Sequence, residues 1–169
     1  MILIPHIVYA ILLLAVFILQ TTVFSRITLI AGSPDLILLF LAAWSLNERA
    51  KYGWVWTIVT GFLVSAVSAM PFFAPLIAYL GMFIISKTLQ RRVWRIPILA
   101  MFIVSFLGSL FQGFIYVILL KINSAQVGWG QSLDTVILPS VLMNLIFTLP
   151  IFAIVSDIAG RIYPLEEEV

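Results

Sequence analysis

Five or six apolar stretches run through this chain with almost no charge inside them, and the charge collects in the connections between. A soluble domain of this size has nowhere to hide so much apolar surface. A helix that crosses a bilayer needs roughly 17–25 apolar residues. The 169 residues, 63% hydrophobic and 9% charged, accommodate five or six such helices with short loops and no further domain. The sequence therefore predicts one all-α integral membrane domain over residues 1–169, a six-helix bundle whose second helix is short. The predicted spans are 7–24, 34–47, 52–70, 72–88, 96–120 and 136–158.

The first stretch lacks a small-x-small site after it (Gln20 to Arg26) and reads as a retained span rather than a cleaved signal. The second is unusual. Its apolar part, Leu36–Leu46, reaches only about 16 Å against a hydrocarbon core of about 30 Å. Pro34 suits the first turn of a new helix, with Ser33 as N-cap and Asp35 favoured by the positive helix end. Pro71 and Pro75 mark a tight turn, the polar run Asn123–Asp134 reads as a loop, and Pro150 predicts a kink.

Charge then assigns sides. With six crossings, Arg49, Lys51, Lys87, Arg91, Arg92, Arg95 and Arg161 fall on one side, seven of the nine basic residues. Only Arg26 and Lys121 fall on the other. Basic loops stay in the cytoplasm, which puts both termini there. A re-entrant second segment gives five crossings, an outer N-terminus and a split of eight to one, so charge alone leaves both open. Trp44, Trp54, Trp56 and Trp94 flank the two basic loops, as a headgroup belt would.

Little chemistry is left. The chain has no cysteine, and its one histidine, His6, has no second metal ligand near it in sequence. Asp35, Glu48, Asp134 and Asp157 form no spaced pair for acid–base work, and the serines lack a base, so the chain is expected to be no enzyme and to hold no cofactor. A net charge of +2 gives no reason to expect nucleic acid. No charge sits clearly mid-span, which argues against a proton-coupled carrier.

Packing signals are stronger. Thr57, Gly61, Ser65 and Ala69 stand four apart, as do Ser105, Ser109 and Gly113. Residues four apart share a helix face, and small ones let backbones approach, either within the chain or against a partner's helix. Gln20, Thr21, Thr22, Gln112 and Asn144 are polar groups inside spans and should face the interior. They would serve as interhelical hydrogen bonds, or Gln20, Gln112 and Asn144 would line a small-molecule site. The loop bearing Lys87, Arg91, Arg92 and Arg95 has the charge to contact anionic lipid or to dock an acidic cytoplasmic partner.

Several of these features occur in a familiar order. Leu19-Gln20-Thr21-Thr22 ends the first span and Pro34-Asp35-Leu36-Ile37-Leu38-Leu39 opens the second. Gly61-Phe62 follows in the third, then a proline turn and a basic loop after the fourth. In this order the chain resembles the rod shape-determining protein MreD family along essentially its whole length. Where members of that family often carry a second glycine and an aspartate, this chain has Ser65 and Ala69.

The resemblance implies a multi-pass protein of the bacterial inner membrane in the cell-elongation machinery. It implies binding to MreC, a bitopic coiled-coil protein, and through it to MreB, to the polymerase RodA and to RodA's transpeptidase partner. It also implies a fold similar to the six-helix substrate-binding subunits of energy-coupling-factor transporters. Gln20, Pro34, Asp35 and the two small-residue stripes are the candidate partner or packing positions. An alternative function is such a substrate-binding subunit of a vitamin-type importer. That alternative predicts a polar cavity beneath connections 1–2, 3–4 and 5–6.

Overall fold

The computed structural model describes residues 3–47, 52–92 and 96–162, the side chains of 3–5 and 92 apart. Glu48, Arg49, Lys51, Trp94, Arg95 and the acidic tail Glu166-Glu167-Glu168 lie outside the described residues. Those described are all-helical, with no strand among them. Six main helices follow in order: α1 Leu3–Thr22, α2 Leu36–Ser45, α3 Gly53–Val67, α4 Ala74–Arg92, α5 Pro97–Ile122 and α6 Trp129–Ile162. Three regions, His6–Arg26, Pro97–Ile122 and Trp129–Ile162, are long and apolar enough to cross a membrane.

Helix α2 explains its own shortness. All ten of its residues are buried, and it packs against each of the other five helices. A helix that is apolar all round belongs in an interior. At about 15 Å it does not need to match the bilayer, because it does not meet lipid. Its neighbours do: Ile7, Ile11, Leu14 and Ile18 form an exposed apolar stripe along α1, while Tyr9 and Leu13 turn inward.

Tyr9 is the rivet between α1 and the centre. Its ring lies 4.6 Å from that of Trp44, 4.7 Å from Trp56 and 5.3 Å from Phe40, centroid to centroid. Trp44 is therefore a core residue, 3% exposed, and not part of a headgroup belt. Trp56 is half-buried and Trp54 exposed. Next to them, Trp56 Nε1 donates to His6 Nδ1 at 3.3 Å, and the His6 ring lies 5.1 Å from that of Tyr52. The start of α1 thus stands beside the start of α3.

The far ends of α2 and α4 meet at this same level. Ser45 Oγ and Ser86 Oγ share a hydrogen bond of 2.5 Å, and Gln90 Nε2 donates to Leu46 O at 3.1 Å. This end of the bundle carries Lys87 and Arg91. Lys87 Nζ donates to Gln90 Oε1 at 2.9 Å, while Arg91 is exposed. Helix α4 ends at Arg92.

One expectation changes at α6. The polar run after α5 is only partly a loop, because helix resumes at Trp129 behind Gly128. The helix then widens into a π turn over Leu133–Ile137, with Leu138 N–H donating to Leu133 O. Pro139 supplies the reason. Its ring would clash with the carbonyl four residues back, and it has no N–H to donate there. The freed Thr135 carbonyl accepts instead from Ala31 N–H at 3.1 Å, which fastens the first connection to α6. Pro150 lies inside α6, and the helix continues through it to Ile162.

Candidate functional site

The site forms where the α1–α2 connection meets α4, α5 and α6. Asp35, not Ser33, caps α2: its φ and ψ are −109° and 92°, and Oδ1 accepts from Leu38 N–H at 2.9 Å. Ser33 is otherwise engaged, its N–H donating to Ser140 Oγ at 3.1 Å. Pro34 then ends the connection rather than opening the helix, and its carbonyl accepts from Gln20 Nε2 at 3.0 Å. Gln20 Oε1 in turn accepts from Leu36 N–H at 2.7 Å. One amide side chain on α1 therefore satisfies two backbone groups at the entry to α2.

The other oxygen of Asp35 faces α4 and α5. Oδ2 accepts from Tyr79 Oη at 3.0 Å and from Gln112 Nε2 at 2.6 Å. Gln112 Nε2 also donates to Tyr116 Oη at 3.2 Å. Asn144 on α6 completes the ring: Oδ1 accepts from Asp35 N–H at 2.7 Å, and Nδ2 donates to Ser109 Oγ at 2.7 Å. A polar knot made of residues from α1, α2, α4, α5 and α6 thus surrounds one carboxylate.

Gln20, Asp35, Ser109, Gln112 and Asn144 come together as interior groups. Thr21 and Thr22 do not. Both are exposed and return their hydroxyl protons to carbonyls of their own helix, Phe17 and Ile18, so they need no interior partner.

The small-residue stripes are spent within the chain. Thr57, Gly61 and Ser65 are buried, while Ala69 is exposed beyond the end of α3. A Cβ at Gly61 would come within 2.9 Å of Leu76 Cα on α4. Ser105 and Ser109 are buried in α5, and a Cβ at Gly113 would come within 2.9 Å of Ile137. Gly61 and Gly113 are closed by the chain's own helices. The basic positions Lys87 and Arg91 lie at the opposite end of α2 from Asp35, away from this site.

Above the knot is a cavity of about 430 Å³. Its lining comes from three connections (Ala31 and Ser33; Ser68 and Met70; Val127) and from the inner faces of the helices. Asp35, Tyr79, Gln112 and Tyr116 are among the polar part, with Gln20 and several serines, while Ile37, Val64 and Val117 are among the apolar part. Tyr79 and Tyr116 were not anticipated from sequence, although a tyrosine inside a span needs a partner for its hydroxyl. Asp35 keeps some accessible surface here, so the chain does carry a carboxylate within the bundle.

Two backbone features border this space. Ile30 has φ 60°, a left-handed conformation that a β-branched residue rarely adopts. The π turn contributes Val136 and Ile137 to the lining, and such turns recur at functional sites. Among the described residues no group of three His, Asp or Glu is placed to hold a metal ion. Comparison with protein-family models, with curated proteins and with solved structures returns no match.

Proposed function

We propose that this chain is a non-enzymatic membrane scaffold of the MreD type, acting in the bacterial cell-elongation complex. In this reading it binds an MreC-like bitopic protein and helps couple MreB filaments to peptidoglycan synthesis by RodA and its transpeptidase partner. The observation that carries the reading is the junction of Gln20 with Pro34 and Leu36. The two sequence motifs on which the resemblance rests are distinct in sequence and are hydrogen-bonded to each other. Such a junction gives each motif a physical reason to accompany the other.

The proposed setting is the inner membrane, with six crossings and both termini in the cytoplasm. The pairing of His6 with Trp56 supports that count, because it brings the start of α1 to the end of the bundle that carries Lys87 and Arg91. Positive residues favour the cytoplasmic side. Affinity purification from native membranes, with the bound chains identified by mass spectrometry, tests the reading. An MreC-like coiled-coil chain at near-equal amount is the expected result. Recovery of ATPase subunits of an importer in its place would overturn it.

That second outcome corresponds to the other reading, a substrate-binding membrane subunit of a small-molecule importer. The cavity beneath connections 1–2, 3–4 and 5–6 favours it specifically. Concave spaces with an apolar wall and a few convergent polar groups are where small molecules bind.

A further inference from the structure

The cavity has a marked electrostatic character. Among the described residues Asp35 is the one acidic residue in its lining, and no Lys, Arg or His lines it. The described ion pair, Arg161 with Asp157, is exposed and lies near the end of α6. Lys121, which follows the lining residue Leu120, is drawn aside, its Nζ lying 4.7 Å from the centre of the Trp129 ring.

Asp35 is therefore held by hydrogen-bond donors alone. A carboxylate offers about four lone-pair sites. Leu38 N–H takes one on Oδ1, and Tyr79 and Gln112 take two on Oδ2. Ile37 N–H contributes as well, so only neutral donors face the carboxylate, in a residue that lines the cavity and keeps accessible surface. An ionisable side chain in such a place ordinarily faces a partner of opposite charge. Tyr116, which is half-buried, lines the same space, and aromatic rings attract cations as well. The apolar wall from Ile37, Val64 and Val117 suits a hydrocarbon body rather than a bare hydrated ion.

We propose that this cavity binds an organic ammonium ion, its charged group against Asp35 and its apolar body against Ile37, Val64 and Val117. The inference rests on the cavity holding a small molecule, and it holds whether the chain is a scaffold or an importer subunit. An ammonium of this kind comes either from a free amine or from an aminophospholipid headgroup. Anions are disfavoured, since no described residue in the lining offsets the carboxylate.

Three probes of one shape and different charge test it: benzylammonium, benzyl alcohol and benzoate. Binding is followed by ligand-observed magnetic resonance, with the full chain in a neutral maltoside detergent. Benzylammonium is expected to bind at least tenfold tighter than benzyl alcohol, and benzoate to show no saturable binding. In Asp35→Asn that preference should fall to within twofold. Asparagine keeps the helix cap, and a thermal melt shows that the variant is folded.

Val64→Phe, which narrows the cavity from α3, should abolish binding of both the ammonium and the alcohol. Equal binding of ammonium and alcohol, or a preference that survives Asp35→Asn, overturns the charge selection and leaves the cavity reading standing. Absence of any probe binding, or unchanged binding to folded Val64→Phe, overturns both. Adding phosphatidylethanolamine separates the sources. Weakened benzylammonium binding identifies the lipid headgroup, and unchanged binding identifies a free amine.

Discussion

Gly61→Leu is expected to deprive the chain of its packed form, with a loss of about 3 kcal/mol or more. Helices α3 and α4 approach so closely at this point that even a Cβ would lie 2.7 Å from Leu76 Cδ1 and 2.9 Å from Leu76 Cα. The first contact is with a movable methyl, but the second is with backbone. A leucine therefore has to push the two helices apart. In lipid that separation is costly, because close packing and not water exclusion holds the helices together.

Gly160→Leu is the control, since nothing lies within 4 Å of a Cβ there. Size-exclusion profiles and thermal melts in detergent should separate the two variants. Gly61→Leu should elute as aggregate or melt well below the parent, while Gly160→Leu should match it. Because Gly61 faces the chain's own α4, any loss of a partner should accompany loss of the fold. A Gly61→Leu protein that melts like the parent would refute the close approach.

Asn144→Leu should be the second most damaging single change, at about 2 kcal/mol. The direct cost of an interhelical hydrogen bond in a membrane is modest, about 0.6 kcal/mol on average. Asn144 makes two, to Asp35 N–H and to Ser109 Oγ, and it is 1% exposed. Its loss leaves a backbone N–H at the head of a fully buried helix without an acceptor. That N–H and the Ser109 hydroxyl lose their partners together at the head of α2, so the penalty exceeds that of the two bonds taken singly. Ser140→Ala provides the comparison. It removes one acceptor, from Ser33 N–H, at a half-buried position, and should cost clearly less. Equal melting temperatures for the two variants would mean that the polar knot does not hold α2 in place.

Much of this architecture can be read in the sequence because apolar length and charge placement are local properties. Five of the six stretches sit within a few residues of the observed helices, and the sixth helix starts earlier, at Trp129. The shortness of the second stretch is equally legible, but its meaning is not. A ten-residue apolar run looks the same whether it re-enters from one face or is enclosed on all sides, and only the packing of five neighbours decides. Trp44 shows the same gap. Its position beside a basic loop suggested the headgroups, whereas the rings of Tyr9 and Phe40 draw it into the core.

The site was legible in pieces. Gln20, Gln112 and Asn144 stand out as amides in apolar surroundings, and Asp35 as an acid beside a proline. Their meeting does not show, because the bonds join residues up to 109 positions apart. The cavity was expected only under the importer reading, and its apolar wall of ordinary valine and isoleucine, among them Ile37, Val64 and Val117, carries no signal of its own. One signal was available and unused: Pro139 inside an apolar stretch announces a free carbonyl four residues earlier, and Ala31 takes that carbonyl.

The enclosure of α2 has a consequence for how the chain enters the membrane. Ten residues are too few for the insertion machinery to accept as an independent crossing. The segment has to wait in the channel or at the interface until α3 or a later helix gives it protein to lie against. A chain truncated after Asn47 and released from the ribosome should therefore leave α2 open to protease, and one truncated after a later helix should protect it. Protection at the earlier truncation would contradict this order. Biogenesis here reverses the usual sequence in which crossings form first and assemble afterwards: the middle of the molecule becomes a membrane segment only through the arrival of its surroundings.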